Sequence, residues 1–271
     1  MPTTPNGKRY ARFVLLFFLV LNACSRGATP TDSPPDPKPP AAPSVSSLGL
    51  IRGRAAGLNY LEIIKGNVGA SAQLPMVVVI HGMGDAPNAD WLATLRSPAR
   101  LILPQAPAPY GYGYSWFTYR VADEKPDYLA LEIQQAAIQI AQAVVELKSK
   151  RPTLGKPIVC GFSQNAMLSY ALALMHPKLF SSAFPISGFL PEGLWPKSKP
   201  EAGKAYPPII SMHGTEDLLV PFAPDERMIK HLRGLGYRAE LVAFEGVGHT
   251  ITAAMDQMLI ANLEKALREV R

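Results

Sequence analysis

Ser163 stands in "VCGFSQNAML", residues 159–168, between a short apolar run and a helical pattern. A serine raised on a strand-to-helix turn becomes a nucleophile only when a base takes its proton and an acid orients that base. The chain offers one candidate for each task. Asp217, in "HGTEDLLVP", and His249, in "EGVGHTI", each follow an apolar strand-like run by a short glycine-containing turn. Singly, these residues have plain structural roles, Ser163 as a helix cap and Asp217 as a turn former. Glu216 competes with Asp217 for the acid's place. Of the other histidines, His176 precedes Pro177 at a helix end and His231 lies in a helical stretch, while His81 and His213 end strands before glycines and would fix loops. His249 alone follows a suitable acid. The chain order Ser…Asp…His, each member after its own strand, predicts a nucleophile, base and orienting acid for acyl transfer.

Acyl transfer also needs backbone N–H groups aimed where the oxyanion develops. "VVVIHGMGDAP", residues 77–87, runs a hydrophobic strand into a His-Gly loop, so the N–H of Met83 and that of Gln164, next to the serine, are the predicted donors. A phosphate-cradling loop is excluded here, because neither G-x-G-x-x-G nor G-x-x-x-x-G-K-[ST] is present. The chemistry requires no metal and no organic cofactor. A further loop, "PYGYGYSWFTY" at 109–119, carries four tyrosines, a tryptophan and a phenylalanine. Tyr112, Tyr114 and Trp116 are expected there as a flexible wall for an acyl chain, an aromatic acid or a sugar ring. The elbow itself departs from G-x-S-x-G. Gly161 fills the first small position, but Asn165 fills the second and is expected to crowd the neighbouring strand.

These residues must be positioned by a scaffold. Apolar runs predict strands at 60–64, 76–80, 100–103, 157–161, 182–187, 208–212 and 239–244. Three- and four-residue periodicity predicts helices at about 89–96, 127–149, 164–175, 224–233 and 252–269. Strands that read as continuous Val/Ile runs and alternate with helices indicate an α/β fold, a mostly parallel sheet covered on both faces. Such sheets gather ligands at the carboxyl ends of their strands, where all the candidate residues fall.

Together, "HGMGD" at 81–85, "PQAP" at 104–107, "SWF" at 115–117, "GFSQ" at 161–164, "HGTED" at 213–217 and "GH" at 248–249 resemble the carboxylesterase/phospholipase family of α/β-hydrolases. That family includes acyl-protein thioesterases and lysophospholipases, and the resemblance runs from about residue 74 to 270. It implies an α/β-hydrolase fold and a carboxylic ester hydrolase with Ser163, Asp217 and His249 as its triad and an acyl-enzyme intermediate. The family's elbow usually reads GFSQGG, and its Trp-Phe pair is usually followed by aspartate where Thr118 stands here. Both departures bear on the acyl pocket. Two other functions fit the sequence: an esterase for acetyl or feruloyl groups on polysaccharide, and a non-catalytic hydrolase-like lipoprotein that binds a ligand without turnover.

The N-terminus reads as an address. Lys8, Arg9 and Arg12 precede the apolar run at 13–21, which is too short to span a bilayer and has the pattern of a secretory signal over residues 1–23. Leu21-Asn22-Ala23-Cys24 resembles the lipobox of bacterial lipoproteins, which implies lipidation of Cys24 and a membrane partner, with simple secretion as the alternative. Residues 24–47 hold a segment with seven prolines in the twenty positions 28–47, a solvated tether. The catalytic domain is expected at 48–271. The formal net charge of +6 falls to +3 without residues 1–23, and no basic run is interleaved with aromatics, so nucleic acid is not an expected partner. The other cysteine, Cys160, lies in a predicted buried strand, which argues against a disulfide or a metal site. The expected partner is a small-molecule or lipid ester. The sequence leaves the oligomeric state open.

Overall fold

The structure, a computed structural model, describes residues 50–202 and 205–270. The expected signal sequence, Cys24 and the expected proline-rich tether lie outside the described residues.

Among the described residues, ten strands and four α-helices make the α/β-hydrolase fold. Eight strands form one sheet in the order β1-β2-β4-β3-β7-β8-β9-β10. At one edge β1 (Leu50–Ala55) pairs antiparallel with β2 (Leu58–Lys65), and β2 pairs antiparallel with β4 (Ala99–Pro104). The rest is parallel: β4, β3 (Leu74–Ile80), β7 (Thr153–Phe162), β8 (Ser182–Ile186), β9 (Ile209–Gly214) and β10 (Ala239–Phe244). Every residue of β3 and β4 is buried, which is why β3 and the Leu101–Leu103 stretch of β4 read as apolar runs rather than alternating ones.

Alternation decides which face each residue serves. Met76, Val78 and Ile80 pack with Ile102 and Val159 beneath α1 (Pro126–Lys150), α2 (Gln164–Met175) and α3 (Phe222–Gly234). Val77 and Val79 pack with Leu101, Ile158 and Cys160 against α4 (Ala253–Glu269), through Met255, Leu259, Leu263 and Leu267. Burial drives the Cys160 thiol far above its ordinary range, and among the described residues it has no disulfide partner.

The chain leaves β3 toward β4 on one side and leaves β7 toward β8 on the other. The carboxyl ends of β3 and β7 therefore border the crevice where the sheet's winding reverses, which is where such sheets take ligands.

Three expectations need correction. The helix predicted at 89–96 is only a 3₁₀ turn, Asp90–Leu92, confined between Pro87 and Pro98. Leu92 and Leu95 are buried three residues apart, which imitates helical spacing. β1 was not foreseen, because its arginines and glycine interrupt the apolar signal at an exposed edge. The aromatic loop holds a hairpin, β5 (Ala108–Tyr110) against β6 (Gly113–Ser115), rather than a flexible wall.

Candidate active site

Ser163 sits between β7 and α2 with φ 62° and ψ −122°, a backbone conformation that costs a non-glycine residue about 1–3 kcal/mol. Its neighbours hold it there. The Ser163 N–H donates to the Ile186 carbonyl at 2.9 Å, tying the elbow to the end of β8. Gly161 is required because a Cβ there would lie 2.5 Å from the Asn165 Cβ. Asn165 is wholly buried, and its Nδ2 donates to the Phe162 carbonyl at 2.9 Å, closing the turn around Ser163. The expected crowding is thus absorbed by Gly161, and the elbow keeps its strained form.

The loops after β9 and β10 meet beside this turn. The N–H groups of Thr215 and Glu216 donate to the carbonyls of Phe244 and Val247, each at 3.0 Å. A Cβ on Gly214 would overlap the Val247 carbonyl, so only glycine lets the two loops lie this close. Asp217 turns inward and is buried, whereas Glu216 faces solvent, which separates the two competitors. The Asp217 Oδ1 accepts the N–H groups of Leu219 at 3.0 Å and Val220 at 2.8 Å. Its Oδ2 lies 2.7 Å from His249 Nδ1. The other ring nitrogen, His249 Nε2, is 2.9 Å from Ser163 Oγ. A carboxylate only accepts, so His249 carries its proton on Nδ1 and turns the lone pair of Nε2 toward the serine hydroxyl. The Phe162 ring lies 4.7 Å from the imidazole, centroid to centroid, and covers one face of it.

Met83 and Gln164 border the same cavity as Ser163. Among the described residues, neither main-chain N–H has a backbone acceptor. The loop that carries Met83 is stitched to the hairpin on both sides: Gly84 N–H donates to the Tyr114 carbonyl and Tyr114 N–H to the Asp85 carbonyl, both at 2.9 Å. His81 braces the loop's base. Its Nε2 accepts the Ala106 N–H at 3.0 Å, so the Nδ1 2.9 Å from the Gly82 carbonyl must be the protonated nitrogen. The ring is therefore neutral, and burial lowers its pKa in keeping with that.

The side chain of Gln164 does work the sequence did not announce. Its Nε2 donates to the Phe117 carbonyl at 3.0 Å, and its Oε1 accepts from Ser115 Oγ at 3.2 Å and from the Trp116 N–H at 3.3 Å. It thereby clamps residues 115–117 to the start of α2.

The cavity over Ser163 and His249 has a volume of about 400 Å³, with walls from Tyr110, Phe117, Tyr119, Leu129, Met167 and Leu219 and with Arg120 at its border. Tyr112, Tyr114 and Trp116, expected at this wall, do not line it. Tyr112 is fully exposed at the hairpin turn, Tyr114 is engaged with the Met83 loop, and Trp116 is buried with its ring 5.8 Å from that of His81. The hairpin is the reason: Tyr114 pairs with Pro109, so alternation sets Tyr110 on the opposite face from Tyr114, and Tyr112 lies in the turn outside both strands. A larger hollow, about 640 Å³ between α1 and the end of α2, lies apart from these residues. Among the described residues, no group of three or more His, Cys, Asp or Glu side chains could hold a metal ion.

The profile of the phospholipase/carboxylesterase family matches residues 59–267. A probable inactive carboxylesterase of Oryza sativa subsp. japonica is 28% identical over 192 residues, which span 65% of this chain and 78% of that protein. The carboxylesterase SOBER1 of Arabidopsis thaliana is 26% identical over 196 residues, spanning 65% and 83%. Among solved structures, esterase PE8 superposes with a TM-score of 0.64 at 25% identity, over 77% of this chain and 99% of its own. The chain therefore belongs to the phospholipase/carboxylesterase family, carboxylic ester hydrolases built on the α/β-hydrolase fold.

Proposed function

We propose that Ser163, His249 and Asp217 hydrolyse a carboxylic ester by two acyl transfers. His249 Nε2 takes the Ser163 proton as Oγ attacks the ester carbonyl. Asp217 keeps the proton on Nδ1 and stabilises the imidazolium that forms. The oxyanion of the tetrahedral intermediate is held by the N–H groups of Met83 and Gln164, each donor contributing about 3 kcal/mol in such sites. His249 then gives its proton to the leaving alcohol. Water, activated by the same nitrogen, attacks the acyl-enzyme and regenerates Ser163.

The observation that carries this reading is the unbroken hydrogen-bonded chain from Ser163 Oγ through both nitrogens of His249 to Asp217, with contacts of 2.9 and 2.7 Å. The apolar and aromatic walls of the cavity favour an acyl group or aromatic acid over a highly charged one. A fluorophosphonate probe should label Ser163 alone, and Ser163→Ala should lose both labelling and turnover across aryl esters graded from acetate to palmitate, with methyl ferulate beside them. Unchanged turnover in that variant would refute the assignment.

The same proposal extends to the cell envelope. Residues 1–23 act as an export signal, Cys24 receives lipid, and residues up to 47 tether a domain spanning 48–271. The basic start, short apolar core and Leu-Asn-Ala-Cys ending support it. Radiolabelled palmitate should enter the full chain and not Cys24→Ser.

A further inference from the structure

Beneath the turn that carries Asp217 lies a second histidine–aspartate pair with no solvent exposure at either side chain: His213, at the end of β9, and Asp225, in the first turn of α3. His213 Nδ1 is 2.9 Å from Asp225 Oδ2, and His213 Nε2 is 2.9 Å from the Val220 carbonyl. A carboxylate and a carbonyl both accept and neither donates. A neutral imidazole would set a lone pair against one of these oxygens, so both ring nitrogens carry protons and His213 is an imidazolium. His81 shows the opposite case, with one donor and one acceptor facing its ring.

The same Nε2 is 3.5 Å from Asp217 Oδ2, the oxygen that takes the His249 Nδ1–H at 2.7 Å. Val220 is the other link: its N–H donates to Asp217 Oδ1, and its carbonyl accepts from His213. We propose that His213 is a positioning residue for ester hydrolysis: a ring that donates from both nitrogens, held by Asp225, that fixes the Asp217–Val220 turn from below and governs how readily His249 takes up a second proton. This rests on the triad reading above.

The groups facing His213 are few. On α3 there is Asp225, on the turn Asp217 with His249 beyond it, and on β9 Ser211, whose hydroxyl donates to Asp225 Oδ2 at 2.9 Å. On α2, Tyr170 donates to Asp225 Oδ1 at 2.6 Å, and burial raises that phenol well above its ordinary value, so it stays a donor. The edge of the Phe222 ring closes one side of His213. Burial opposes charge on His213, but the hydrogen bond and charge of Asp225, the Val220 carbonyl and the charge of Asp217 outweigh it and raise its pKa. Since both rings approach one carboxylate oxygen at 3.5 and 2.7 Å, they stand no more than about 6 Å apart, and a charge on one bears on the other.

Two measurements test the proposal. In ¹⁵N-histidine-labelled protein, both ring nitrogens of His213 should report as protonated at pH 7, without substrate and in Ser163→Ala as well. A neutral ring at pH 7 overturns the proposal whatever the activity. Second, His213→Gln keeps a donor for Val220 but removes the charge. With rates normalised to sites labelled by fluorophosphonate, the acid limb of kcat/KM should move upward by about one pH unit, a loss that approaches tenfold on the acid side of the limb and is recovered in alkali. A purely structural role would lower the labelled fraction and leave the limb in place, and that result also overturns the proposal. Should His213→Gln not fold, Asp225→Asn removes the proton's anchor, and His213 should then report as neutral at pH 7. Wild-type protein inert toward every ester would sink the hydrolase reading instead, while the ring signature stands or falls separately.

Discussion

Gly113→Ala should cripple the site without touching any reacting group. A Cβ at this position would lie 2.5 Å from the Gly84 carbonyl oxygen and even closer to that of Asp85. Both are backbone atoms and cannot rotate aside. Restoring an ordinary contact of about 3.5 Å requires the hairpin to withdraw by about 1 Å. That movement stretches the two 2.9 Å bonds that join Tyr114 to Gly84 and Asp85. Losing two such bonds costs about 2 kcal/mol, and residual strain raises the loss of stability to about 2–4 kcal/mol. The larger effect should be catalytic. Met83 rides on the released loop, and a donor displaced by about 1 Å loses about a hundredfold in rate, up to a thousandfold if its bond to the oxyanion fails altogether. Steady-state hydrolysis of a p-nitrophenyl ester, run well below the melting transition, reads kcat directly. KM should change far less, because the donor acts mainly in the transition state. Gly193→Ala is the control: no heavy atom lies within 4 Å of its Cβ, and stability should stay within about 0.5 kcal/mol of wild type. A Gly113→Ala protein with near-normal kcat would refute the claim that the hairpin holds the oxyanion loop.

Asn165→Asp should lose about 3 kcal/mol or more at pH 8, because its Nδ2 bond to the Phe162 carbonyl becomes two opposed acceptors; part should return in melts at pH 5 as the carboxyl protonates. Glu62→Ala should cost about 3–5 kcal/mol in urea titrations, since it strips the carboxylate from Arg100, whose side chain is fully buried. His81 supplies a pH dependence. Its folded pKa lies below its ordinary value of 6.5, so the unfolded chain binds the proton first, and stability should fall as pH drops below 6.5. Thermal melts from pH 8 to 5 should show that slope, and His81→Gln should flatten it. Gly188→Ala drives a Cβ into that of Ala166 and within 3.0 Å of the Ser163 carbonyl, so kcat should drop at least tenfold, and Ala166→Gly added to it should recover most of the loss.

The legible parts of the chain were those whose burial is uniform. Val77, Val78, Val79 and Ile80 face helices on both sides of the sheet, and α1 buries one long stripe from Leu129 to Leu147, so run length and period alone marked them. The convergence of Ser163, Asp217 and His249 was legible because each follows a parallel strand, and parallel strands end on one rim. The hairpin was not, because its strands are three residues long and its glycines read as looseness. Gly113 is there for contact: another backbone crosses where its side chain would be. Tyrosines near a rim likewise invite a substrate role, but which of them faces the cavity depends on hairpin register, which no local pattern reveals. The surroundings of His213 were equally hidden. Its acceptors, Val220 and Asp225, are set by how the turn after β9 folds back over α3.

The elbow shows why a departure from pattern need not break a site. Residues 165 and 166 are glycines in the usual GFSQGG sequence, yet Asn165 and Ala166 stand here without displacing Ser163 from the 2.9 Å contact with His249. Each added side chain meets a glycine on the facing segment: Asn165 meets Gly161 on β7, and Ala166 meets Gly188 beyond β8. Close approach between two segments requires one of the two facing Cβ atoms to be missing, and which segment omits it is immaterial to the packing. Smallness is therefore a property of the pair, and a single-position pattern records only half of it. Asn165 gains a role from the exchange, since its amide closes the Phe162–Asn165 turn that a glycine would leave unbraced. The strain stored at Ser163 is then held by one side-chain bond and one backbone bond to Ile186 rather than by glycine packing alone.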